Sequence, residues 1–137
     1  MLILSAVTQQ DQVRVTRGVS VSVTQQFSPE RSDPARKQWF FLYTIRLENE
    51  GEETVQLLNR HWIITDASGE VDEVRGAGVV GQQPILRSGE TFEYTSGCPL
   101  ATPFGSMSGS YEMTTEGGDS FEVEIPPFAL RDPKLMQ

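Results

Sequence analysis

Val13-Arg14-Val15-Thr16-Arg17-Gly18-Val19-Ser20-Val21-Ser22-Val23-Thr24 decides the fold class. The odd positions carry valine at 13, 15, 19, 21 and 23, and the even ones are mostly polar, as Arg14, Thr16, Ser20, Ser22 and Thr24 show. A period of two built from β-branched side chains specifies a strand with one apolar face. Gly18, beside Arg17, reads as a bulge or a step between sheets within that strand.

Working outward, the stretch from Ser28 to Gln38 holds Pro29 and Pro34 among charged residues and reads as an exposed loop. Trp39 to Glu48 follows, with Phe41, Tyr43, Ile45 and Leu47 on one face and Phe40 and Leu42 on the other, the pattern of a central strand covered on both sides at one end. The turn Asn49-Glu50-Gly51-Glu52 leads to Val55, Leu57 and Leu58, then to His61-Trp62-Ile63-Ile64, which Asp66-Ala67-Ser68-Gly69 closes. A short apolar piece at Val71 to Val74 precedes a glycine-rich segment, and Pro84-Ile85-Leu86 reads as a brief edge strand because proline cannot donate to a central ladder. Thr91 to Thr95 alternates again with Phe92 and Tyr94 inward. Met107, Gly109, Tyr111 and Met113 share a face, and Glu116-Gly117-Gly118-Asp119 joins them to Phe121, Val123 and Ile125 as a hairpin.

About seven or eight short strands without sustained helical periodicity predict an all-β, antiparallel two-sheet sandwich of the immunoglobulin-like kind. With 137 residues there is room for one core. Residues 1–12 are expected as an N-terminal extension, 13–128 as the sandwich and 129–137 as a polar tail, with the chain leaving its last strand at Pro126.

The balance of 19 acidic against 11 basic residues, a net charge of -8, disfavours nucleic acid as a partner. Cys98 is the single cysteine, so neither an intrachain disulfide nor a paired-thiol metal site can form. A reducing compartment follows, and the cytoplasm is the expected location. The apolar opening Met1-Leu2-Ile3-Leu4 is too short for a signal peptide, and no run approaches the ~20 residues of a membrane helix.

No residue set here can run a catalytic cycle, and no cofactor is expected. His61 is the one histidine and lies beside Trp62 with no sequence-local partner, which points to a structural role. Cys98 adjoins Pro99 in an acidic chain, a setting that favours a buried, inert thiol. Gly105-Ser106-Met107-Ser108-Gly109 places methionine where a nucleophile elbow needs serine. Glu70, Asp72 and Glu73 lack the spacing of a calcium loop, so no metal site is expected. Trp39, Phe40, Phe41 and Phe104 read as core aromatics, with an exposed recognition patch as the alternative.

Gly76, Gly78 and Gly81 spell G-x-G-x-x-G, which in dinucleotide folds opens a helix under a pyrophosphate. Here Gln82-Gln83-Pro84 follows, so no helix supports it. A nest of backbone N–H groups could still hold an anion, with Arg75 or Arg87 alongside, and Arg75, Gly76, Gly78 and Gly81 are the candidate phosphate-binding residues. Otherwise these glycines serve loop geometry.

Asn59-Arg60-His61-Trp62, Gly76-Ala77-Gly78-Val79-Val80-Gly81-Gln82-Gln83-Pro84, Gly89-Glu90, Phe92-Glu93-Tyr94-Thr95-Ser96-Gly97-Cys98-Pro99-Leu100, Thr102-Pro103, Gly105 to Tyr111 and Pro126-Pro127-Phe128 together resemble the ApaG family over nearly the whole chain. The resemblance implies a fibronectin type III-like sandwich that occurs free-standing and as a terminal domain of larger proteins, and hence a non-enzymatic binding module with a protein partner. It also implies links with diadenosine tetraphosphate metabolism and with cobalt and magnesium resistance or efflux. A phosphate-containing small molecule, held at Gly76 to Gly81, is the alternative partner.

Overall fold

The computed structural model describes residues 12–136. Residues 1–11, which make up most of the expected N-terminal extension, and Gln137 at the end of the expected tail lie outside it. Nine strands are formed among the described residues: β1 (Gln12–Thr16), β2 (Val19–Phe27), β3 (Trp39–Asn49), β4 (Val55–Asp66), β5 (Val71–Ala77), β6 (Ile85–Leu86), β7 (Thr91–Leu100), β8 (Phe104–Thr115) and β9 (Ser120–Arg131). The first sheet runs β1-β2-β3-β7 and the second β5-β4-β8-β9, with β6 on the start of β4, and every pairing is antiparallel. Two layers with an apolar interior make the expected β-sandwich.

The decisive stretch is two strands rather than one strand with a bulge. Arg17 (φ 48°) and Gly18 (φ 82°) form a two-residue turn that pairs Thr16 with Val19. Consecutive positive φ values reverse the chain and match the twist of a hairpin, whereas a bulge would let it continue. A side chain at Gly18 would also bring its Cβ to 3.0 Å from the Gly51 Cα. The reversal redistributes the valines, because residues opposite one another in a hairpin share a face. Val13 and Val15, opposite Ser22 and Ser20, face outward at 55% and 53% exposure, while Val19, Val21 and Val23 are in the core.

β3 is central, between β2 and β7, and its Phe41, Tyr43, Ile45 and Leu47 are buried. β7 continues past the expected Thr95 to Leu100 despite Gly97 and Pro99, which an edge strand tolerates. β9 likewise keeps Pro126 and Pro127 inside the strand. Met107 pairs with Phe128 and Gly109 with Ile125, so the two prolines oppose Ser108 alone in a bulge where no ladder donor is required. The strand therefore runs to Arg131 with Phe128 and Leu130 buried, and the Asp132 N–H donates to the Pro103 carbonyl at 2.9 Å.

Along one side the layers are closed by β1 and β9. The Glu124 N–H donates to Thr16 Oγ1 at 3.2 Å, and Arg14 pairs with the Glu124 carboxylate at 2.7 Å. In the interior, Trp62 meets Tyr43, Phe128 and Tyr111 with ring centroids 5.2, 6.0 and 6.4 Å apart. The hydroxyls of Tyr94 and Tyr111 bond each other across the two sheets. Tyr111→Phe leaves the buried Tyr94 hydroxyl without this partner, so a loss of about 1–3 kcal/mol in unfolding free energy is expected by urea denaturation.

Candidate functional site

On the other side the sandwich is open. The edge of the first sheet there is β7 and that of the second is β5, and a groove runs between them. One section, about 450 Å³, has Asp72 and Val74 of β5 facing Gly97 and Cys98 of β7. The next section, about 240 Å³, passes under Val79, Val80 and Gly81 to Tyr94. Tyr43, Arg60, Trp62 and Ser96 line both.

Strand alternation explains this wall. Arg60, Trp62 and Ile64 of β4 point inward, so an arginine occupies a position whose neighbours are core. Arg60 is half-buried, and its Nη1 donates to the carbonyls of Ala77 and Gly78, each at 2.9 Å. No carboxylate pairs with it among the described residues. Directly across the ladder lies Gly76, where an added Cβ would stand 2.8, 2.9 and 3.0 Å from Nη2, Cζ and Nη1. Three nearly equal distances mean that the guanidinium lies flat against the glycine. The alternation around Trp62 was a usable sign of this inward charge, but the residue across the ladder could not be assigned before the register was known.

The candidate phosphate residues are dispersed. Gly76 is in β5, and Arg75 is on the outer face with Nη2 3.4 Å from Glu73 Oε1. Gly78 and Gly81 belong to a tight turn in which the Gly78 N–H donates to Leu58, and Val79 and Gln82 exchange N–H···O bonds at 2.8 and 2.9 Å. A Cβ at Gly78 would lie 2.3 Å from the Gln82 carbonyl oxygen, so close backbone approach explains that glycine. Toward Arg60 the segment presents carbonyls. The guanidinium beside the turn is that of Arg60, while that of Arg75 lies beside Glu73.

The hydroxyls of the groove are neutral donors. Burial raises the pKa of Tyr43, Tyr94 and Tyr111, against which the Arg60 guanidinium acts in the opposite sense. The Cys98 thiol is pushed up to about 11 by burial and then by the Asp72 carboxylate, which keeps it protonated and unreactive at neutral pH.

The expected structural histidine finds its partner across the ladder. His61 Nε2 lies 2.8 Å from Glu73 Oε1 on the outer face of the second sheet, and this hydrogen bond is the main cause of a lowered Glu73 pKa. Asp72 and Glu73 point to opposite faces, toward the groove and away from it. No group of three or more potential metal ligands occurs among the described residues. Of the aromatics, Phe41 is core, Trp39 and Phe40 are half-buried, and Phe104 is 48% exposed.

The ApaG domain profile matches residues 29–115, from the loop before β3 to the end of β8. The chain belongs to the ApaG family. Protein ApaG of Methylorubrum populi is 57% identical over 120 residues, covering 88% of this chain and 92% of the relative, and that of Rhodopseudomonas palustris is 55% identical over the same span. Among solved structures, the ApaA protein of Bordetella pertussis superposes with a TM-score of 0.82 at 55% identity, over 85% of this chain and 94% of that one. The C-terminal domain of wzt shares the fold alone, at a TM-score of 0.54 and 9% identity. The ApaG match takes in every groove residue named above, and β9, which closes the opposite side, lies beyond it.

Proposed function

We propose that this ApaG domain is a non-enzymatic interaction module that receives an extended segment of a protein partner along β5. One observation carries this reading. β5 is a sheet edge of seven residues, all exposed except half-buried Gly76, with Val71 and Val74 exposed at 56% and 39%. Such an edge offers unpaired backbone donors and acceptors for strand addition, and alternate side chains of the incoming segment would turn toward the groove. The family-implied connection with cobalt and magnesium resistance is read as acting through that partner, in the cytoplasm.

Affinity capture from cell extract with mass spectrometry tests the module. A saturable protein partner is expected with the wild-type chain and its loss with Val74→Lys, which places a charge on the receiving edge while leaving stability within about 0.5 kcal/mol. Equal capture by both proteins would refute the edge reading, and the absence of any saturable partner would refute the module.

The second reading is a phosphate-bearing ligand at the Gly76 to Gly81 segment, favoured by the guanidinium of Arg60 beside it. Amide shifts at Gly76, Gly78 and Gly81 on titration with pyrophosphate or diadenosine tetraphosphate decide it.

A further inference from the structure

Arg60 combines features that its structural role does not require. Both of its hydrogen bonds use Nη1, so Nε and Nη2 have no partner among the described residues. One face of the guanidinium is covered by Gly76, which leaves its remaining edge on the groove side. Ser96 stands opposite Tyr43 in the β3–β7 register, and their side chains hydrogen-bond each other on the inner face against which Arg60 lies.

Val80 is the second, independent observation. It occupies φ 43°, a left-handed conformation that a β-branched residue rarely adopts, and its side chain is 52% exposed. Asparagine or glycine would relieve this turn. The strain instead sets an apolar group at the mouth of the section that contains Arg60.

We propose that this section of the groove binds a carboxylate. The free guanidinium edge pairs with the two carboxylate oxygens, the Tyr43 hydroxyl, held in place by its hydrogen bond with Ser96, donates to one of them, and the aliphatic part of the ligand rests between Trp62 and Val80. A single negative charge fits better than a phosphate dianion. Among the described residues Arg60 is the one cation lining the site, Asp72 lines the neighbouring section, and the chain as a whole carries -8. The inference does not depend on a partner at β5, since a free carboxylic acid and a glutamate or aspartate side chain present the same group.

Nitrogen-15 NMR titration of the full chain, at constant ionic strength, tests it with three probes: butanoate, a capped tripeptide carrying one glutamate between two valines, and inorganic phosphate. Saturable shifts of the Arg60 Nε–H and of the Ser96, Val80 and Gly81 amides are expected with the two carboxylates, weakened about tenfold or more in Arg60→Gln. Tighter binding of the tripeptide than of butanoate assigns the carboxylate to a protein side chain, and equal or weaker binding assigns it to a free acid. Ser96→Ala, which leaves both Arg60 carbonyl bonds in place, is expected to weaken the carboxylates about threefold or more, and its unchanged amide spectrum serves as the control for folding. Failure of both carboxylates to saturate, carboxylate shifts that persist undiminished in a folded Arg60→Gln protein, or phosphate binding more tightly than butanoate at the same amides would overturn the assignment.

Discussion

Trp62→Ala is expected to lower the unfolding free energy by about 3–5 kcal/mol, a large part of the 5–15 kcal/mol typical of a domain. The indole is 3% exposed and is the side chain on which the rings of both sheets converge, with Tyr43 from the first and Tyr111 and Phe128 from the second. Each of those rings is fixed to its own strand, so the surroundings can collapse only partly into the space, and the cavity contribution adds to the lost transfer energy. Urea denaturation should show a lower midpoint with an unchanged slope. A loss below about 1 kcal/mol would mean that the sheets close over the gap, and the groove, which shares the indole as its floor, would close with them.

A second large effect is expected at alkaline pH. Burial raises the pKa values of Tyr43, Tyr94 and Tyr111, and it pushes Cys98 from 9.0 to about 11. All four groups are neutral in the folded state and ionise more readily once exposed, so the unfolded chain releases protons first and its free energy falls with rising pH. Stability is therefore complete below the ordinary thiol value and declines as pH climbs through the folded one, at about 1.4 kcal/mol for each unit of separation in a single group. Urea midpoints followed from pH 7 upward should drop steeply above about pH 9, and Cys98→Ala should flatten the slope between 9.0 and about 11. A midpoint independent of pH across that range would contradict the burial of these hydroxyls and of the thiol.

Most of the architecture was legible in the alternation itself. Val19 to Val23, Phe41 to Leu47 and Tyr111 to Met113 identify the buried faces directly, because a side-chain period of two permits one inward assignment per strand. The readings that failed did so at glycine and proline, where one residue type is compatible with several backbone paths. Gly18 suits a bulge or a reversal, and the choice came from a positive φ at Arg17, a residue that gives no sign of it in the sequence. Pro126 reads as the point where the chain leaves its last strand, yet a bulge in an edge strand accommodates both Pro126 and Pro127, and β7 runs on through Pro99 beyond the expected Thr95 because it too is an edge.

The site was less legible for a related reason. Arg75 and Arg60 are separated by 15 positions, and either could be imagined beside the glycines until the register set Arg60 across from Gly76 and Arg75 across from His61. Likewise, Glu73 became the partner of His61 only through the ladder. Cross-strand partners are fixed by turn lengths and bulges, so their chemistry emerges once β4 and β5 are aligned.

The prolines carry one more consequence, which concerns behaviour at high concentration. Pro99 interrupts the rim of one layer, and Pro126 with Pro127 interrupts the rim of the other, so stacking of identical molecules through those borders meets missing donors and a bent path. Val71 to Ala77 contains no proline, and its deterrent is charge, from Asp72, Glu73 and Arg75. Charge repels selectively where proline blocks indiscriminately, so this border can refuse its own kind in solution and still admit a visitor whose charges match.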